Sequence, residues 1–117
     1  MGFFDKVKDL AEDAGKNVAS TSKTLTAKAD SKIKIANLKK EIEEARVKIR
    51  KVNEKVGKAF LDEYKNQIPM EDGFVIDAVN EINLNEEIIA NTKIKIEEEE
   101  NALEEKLSDI EREKYED

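Results

Sequence analysis

The chain has 117 residues, 42% of them charged and 5% aromatic, with no Cys and no His; it is at most one ordinary domain. The missing Cys removes disulfides, thiolate metal sites and thiol nucleophiles, and the missing His removes the commonest general base and metal ligand. The net charge of −7 is unevenly divided: residues 1–70 carry 16 Lys/Arg against 11 Asp/Glu, residues 71–117 only 5 against 17. A fold-back between these arms would lay a basic segment along an acidic one.

Scarce Gly and Pro with abundant charge favours long helices over a compact globule. Residues 1–18 predict an amphipathic helix. Phe3, Phe4, Val7, Leu10, Ala11, Ala14 and Val18 share one face, with acids, Lys and Asn on the other. Two adjacent Phe at its start give this face two readings. It is an anchor lying in a membrane interface, or a short helix that packs within an oligomer. Phe3, Phe4, Val7, Leu10 and Ala14 are the residues that would make either contact. The polar face is mixed in charge, so attraction to anionic lipid needs help from Lys23, Lys28, Lys32 and Lys34. Residues 19–29 are small, polar and rich in Ser and Thr, which compete for backbone hydrogen bonds, and predict a polar hinge or a frayed helix. Asp30 or Ser31 would cap the next helix, although the Ala and Lys around them would also let the helix run through.

Residues 30–117 predict a coiled-coil hairpin. In its first helix Ile35, Leu38, Ile42, Ala45, Ile49, Val52, Val56 and Ala59 follow a continuous 3-4 spacing, the pattern of a left-handed supercoiled seam. Pro69 pushes Ile68 toward extended backbone and closes that helix. Gly73 supplies the left-handed conformation of a tight connection, which places the turn at 68–73. In the second helix Val75, Ile82, Ile89, Ile96, Leu103 and Ile110 recur every seven residues. Val79 and Leu107 occupy the companion position at the ends, and Glu86, Lys93 and Glu100 occupy it in the middle. A second stripe, Leu84 and Ile88, lies off this seam. Fold-back at the turn pairs residues whose numbers sum to about 141, bringing Lys39 and Lys40 toward the Glu97–Glu100 run. Charge of this kind sets register and partner more than stability.

Chemistry finds little footing. The Glu97–Glu100 run points in different directions around a helix, so its carboxylates do not converge. A di-iron site needs a His that is absent, and no EF-hand spacing occurs; weak Ca²⁺ or Mg²⁺ binding is the most these acids offer. Ser20, Thr21, Ser22, Thr24 and Thr26 have no His to activate them, and the four Gly form no phosphate-binding loop. No enzyme activity and no cofactor are expected. A nucleic-acid role for the basic residues 32–58 is disfavoured, because no aromatics interleave with the charges and the acidic arm competes for them. No stretch approaches the ~20 apolar residues of a membrane span. The N-terminus has neither a secretory apolar core nor, with Lys6 at the sixth position, a myristoylation pattern. The expected location is cytoplasmic, with a peripheral place on the inner face of the membrane if the first helix binds lipid.

The opening Met1-Gly2-Phe3-Phe4-Asp5-Lys6-Val7-Lys8-Asp9-Leu10 resembles that of small bacterial coiled-coil proteins that often end in a zinc ribbon. Val56-Gly57-Lys58-Ala59-Phe60-Leu61-Asp62-Glu63-Tyr64-Lys65 and Phe74-Val75-Ile76-Asp77-Ala78-Val79 are similar to the segments that flank the turn in that group. The resemblance covers roughly residues 1–110 and implies a short amphipathic N-terminus followed by a helical hairpin. With no Cys here, a ribbon-dependent role lapses. A looser likeness joins the amphipathic start and the basic–acidic hairpin to phage-shock-protein-A and ESCRT-type membrane-remodelling proteins, and it implies architecture alone.

These readings converge on an all-α chain: an N-terminal amphipathic helix followed by a long antiparallel coiled-coil hairpin. Its expected role is that of a structural homo-oligomer or filament that touches membrane through its first helix. The alternative is a soluble coiled-coil adaptor for another protein.

Overall fold

The computed structural model describes the backbone of residues 3–115 and the side chains of residues 19–115. Two helices account for nearly all of it: α1, Phe3–Asn66, and α2, Phe74–Tyr115. They pack against each other as a helical hairpin, and no strand occurs among the described residues. The hairpin comprises two compact units, one of Met1–Ile35 with Glu97–Asp117, the other of Ala36–Ile96.

Residues 19–29, expected as a hinge, are helical, and α1 passes through them without a break. Thr21, Ser22 and Thr26 are exposed, whereas the small residues of one stripe turn toward the neighbouring helix. Ser20 and Thr24 are half-buried, and Ala27 and Ser31 are buried. Ser31 therefore lies within α1 and caps nothing. Opposite them in this unit are Leu103 and Leu107, half-buried, and buried Ile110. Lys23 and Glu113 join the two helices by an ion pair of 3.2 Å. Their numbers sum to 136, several residues away from the register expected from a turn centred at 70.

In the second unit the inward positions of α1 are Leu38, Ile42, Ala45, Ile49, Val52, Val56 and Ala59. Those of α2 are Phe74, Ala78, Ile82, Asn85, Ile89, Thr92 and Ile96. Here the expectation for α2 needs correcting. Val75 and Val79 are about half exposed, and the companion positions belong to Ala78, Asn85 and Thr92, each at most 8% exposed. The companion lies three residues after Ile82 and Ile89, not four. Asn85 is tolerated because its Nδ2 donates to the Glu81 carbonyl at 2.9 Å; a buried amide left without a partner would cost about 1–3 kcal/mol.

The helix stop also differs from expectation. α1 ends at Asn66, and Gln67 takes a left-handed φ of 56°, the usual way a helix turns out of its axis. The Ile68 N–H then donates back to the Asp62 carbonyl at 3.3 Å. Pro69 follows two residues after Gln67, where its ring and the extended backbone it imposes on Ile68 also bar the helix from continuing. On the far side the Phe74 N–H donates to the Glu71 carbonyl at 3.1 Å across a tight turn with Gly73 at φ 81°, the third-position geometry of a type II turn. Gly73 also accepts the first α2 bond, from the Asp77 N–H at 2.9 Å.

Candidate interaction surface

The sequence-predicted seam residues fall into two groups by exposure. Ile42, Val52 and Ile110 are buried, while Ile35, Leu38, Ile49, Val56, Ile82, Ile89, Ile96 and Leu103 are half-buried. Of the turn residues, Pro69 is exposed and Gly73 holds its positive φ. The membrane or packing face Phe3, Phe4, Val7, Leu10 and Ala14 falls outside the described side chains. Only the helical backbone is described there.

Two facts define what this hairpin can do. Among the described residues no large side chain is fully buried. Two helices give each seam residue a neighbour on one side only, so water reaches the flanks. Secondly, large apolar side chains cluster at the surface around the turn: Phe60, Leu61, Tyr64, Ile68, Val75, Ile76 and Val79 are each about half exposed or more, Tyr64 reaching 81%. Single exposed apolar residues are ordinary, and several gathered near one turn are candidates for a contact.

The packing explains this cluster. Val52, Lys55 and Val56 of α1 line one groove together with Phe74, Asp77, Ala78 and Glu81 of α2. The register of Val56 with Ala78 puts Phe74, the first residue of α2, level with Phe60, six positions before the end of α1 at Asn66. The stretch Leu61–Asn66 therefore runs past the start of α2, and the seven-residue connection Gln67–Gly73 returns to it. Leu61 and Tyr64 lie on that overrunning stretch, and Phe60, level with Phe74, stands on a face turned away from the seam.

The exposed group has its own periodicity. Arg46, Arg50, Asn53, Gly57, Phe60 and Tyr64 follow a 4-3-4-3-4 spacing along α1, displaced from the seam, and all are exposed. Val75, Val79 and Glu86 form the corresponding exposed stripe on α2, beside half-buried Ile82 of the seam. The α2 stripe includes Val79 and Glu86, the companions that the sequence suggests for the seam. They mark a second face of the helix. Gly57 has open space around the position a Cβ would take, although glycine inside a helix costs about 1 kcal/mol relative to Ala.

The chemical inventory is thin. No group of three or more potential metal-binding His, Cys, Asp or Glu converges among the described residues. No helix among them is long and apolar enough to cross a membrane. A second groove, lined by residues including Thr26, Ala27, Asp109 and Ile110, is open and mixed in character. Compared with protein families, curated proteins and solved structures, the chain matches none.

Proposed function

We propose that this chain is a non-enzymatic structural protein whose hairpin is an antiparallel coiled coil and self-associates into an oligomer or filament. The observation that carries the reading is the apolar cluster around the turn, Phe60, Leu61, Tyr64, Ile68, Val75, Ile76 and Val79. The hairpin's own packing leaves it in water, and hydrophobic burial contributes about 25 cal/mol per Å² covered. The thin seam adds to this, since helices that bury one stripe gain most from further packing. Sedimentation velocity over a wide concentration range tests the reading. Mass that grows with concentration is the expected result, and a constant mass of 13.3 kDa at every concentration overturns it.

The membrane half of the proposal rests on sequence pattern. Phe3, Phe4, Val7 and Leu10 form the apolar face of the first turns, and such a face inserts at a lipid interface. The chain then sits peripherally on the inner face of the membrane. Liposome co-sedimentation of the wild type and Phe3→Glu/Phe4→Glu is the check, and equal binding by both removes this half.

A further inference from the structure

We infer that the face carrying Gly57, Phe60, Tyr64, Val75 and Val79 is a two-fold contact with a second copy of this chain, the two turns lying at the same end. This deepens the self-association proposed above and rests on it.

Lys55, Asp77 and Glu81 border one groove of the hairpin. In a right-handed helix, Gly57 lies on the side of the seam away from Lys55, and Val75 and Val79 lie on the side away from Asp77 and Glu81. The two exposed stripes therefore occupy the same broad face, opposite that groove. The register set by Val56 and Ala78 places Gly57 level with Val75 and Val79, and Arg46 and Arg50 level with Glu86.

The chemistry of that face selects its occupant. A second copy turned about an axis parallel to the hairpin lays its α2 across the first copy's α1, and the reverse, at matching levels. Val75 and Val79 of one copy then meet Gly57 and Phe60 of the other, where the absent Cβ leaves a hole for a valine knob. Arg46 and Arg50 meet Glu86. The wider charge pattern agrees. Within residues 36–96, α1 carries nine Lys/Arg against six Asp/Glu, while α2 carries two against four. Each helix thus gains a second neighbour of opposite sign, which fixes orientation and discriminates against wrong pairings. The opposite-ended arrangement lays α1 on α1, cation stripe against cation stripe. The contact stops near Lys39 and Lys93, which share a level and a sign. An isologous face of this kind closes as a dimer.

The test uses the full chain. Sedimentation velocity is run on the wild type, Val79→Glu, Tyr64→Glu and, on the opposite flank of α2, Leu84→Glu, with circular dichroism confirming unchanged helicity. The expected results are a mass of twice 13.3 kDa for the wild type and Leu84→Glu, and a dissociation constant raised tenfold or more by each of the first two variants. A wild-type assembly untouched by Val79→Glu and Tyr64→Glu overturns the assigned face and leaves self-association standing. A monomeric wild type ends both and opens the face to a different protein. Orientation is read separately. The chain has no cysteine, so Lys40→Cys accepts a single spin label. Copies with turns at the same end give one distance within about two helix diameters, ~25 Å, whereas opposite ends separate the labels by roughly 45 Å; the longer distance overturns the arrangement.

Discussion

Phe74, the first residue of α2, lies level with Phe60 and not with the last turn of α1. The two phenylalanines meet opposite fates because Phe74 faces the seam and Phe60 is turned away from it. Phe74 is half-buried in the groove, and Phe60 is 59% exposed. Truncating a well-packed Phe costs about 3–5 kcal/mol. Phe74→Ala, whose side chain is only partly enclosed, is expected to cost about 1–3 kcal/mol, with Phe60→Ala within about 0.5 kcal/mol as a surface substitution. Urea unfolding at a dilution that suppresses association measures both. Equal costs would mean that the two helices meet in a different register.

Ser31 is 3% exposed, and its Oγ finds no hydrogen-bond partner. An unpaired buried hydroxyl is destabilising, and Ala is the better helix former. Ser31→Ala is therefore expected to stabilise the chain by about 1 kcal/mol, seen as a rise in the thermal midpoint. A fall would show that the hydroxyl has a partner, such as a trapped water.

The glycines separate by conformation. Gly73, at φ 81°, has room for a methyl group but not the backbone for it. Gly73→Ala is expected to cost about 1–2 kcal/mol. Gln67 holds φ 56° without being glycine, so Gln67→Gly is expected to gain about 1 kcal/mol from the same preference. Gly57→Ala, in the helix interior, is expected to stabilise by about 0.5–1 kcal/mol in dilute solution. Chemical denaturation of the three variants checks the signs, and a common sign at Gly73 and Gly57 contradicts the backbone account.

Lys23 and Glu113 bridge the helices at 3.2 Å, but both side chains are about 60% exposed. Exposed pairs of this type contribute about 0–1 kcal/mol and weaken with salt. Lys23→Ala is expected to shift stability by less than about 1 kcal/mol, and the shift shrinks as salt rises. A large, salt-independent loss would show that the Lys23 stem contributes packing and not charge.

The inward face of α1 is readable in the sequence from Ile35 to Ala59 because apolar residues fill every position of the 3-4 pattern. The α2 face is only half readable. Ile82, Ile89 and Ile96 announce one line, but Asn85 and Thr92 hold the other. A search for apolar residues passes over them and settles on Val79. Residues 20–31 mislead for a related reason. Ser and Thr look like helix breakers in isolation, whereas in contact with a second helix their small size allows close approach. The exposed stripe on α1 is visible as spacing from Arg46 to Tyr64. That it stays uncovered follows from its displacement from the seam, since a two-helix hairpin covers only one stripe of each helix.

The end of α1 that overruns α2, Leu61–Asn66, carries the oil-like side chains of Leu61 and Tyr64 where no second helix lies alongside. Solubility and susceptibility to proteases should therefore be governed at one spot. Cleavage near Leu61 and Tyr64 is expected to fall, and clarity of the solution to persist, under the conditions that keep this spot covered. Handling the chain at extreme dilution would be the harsher treatment.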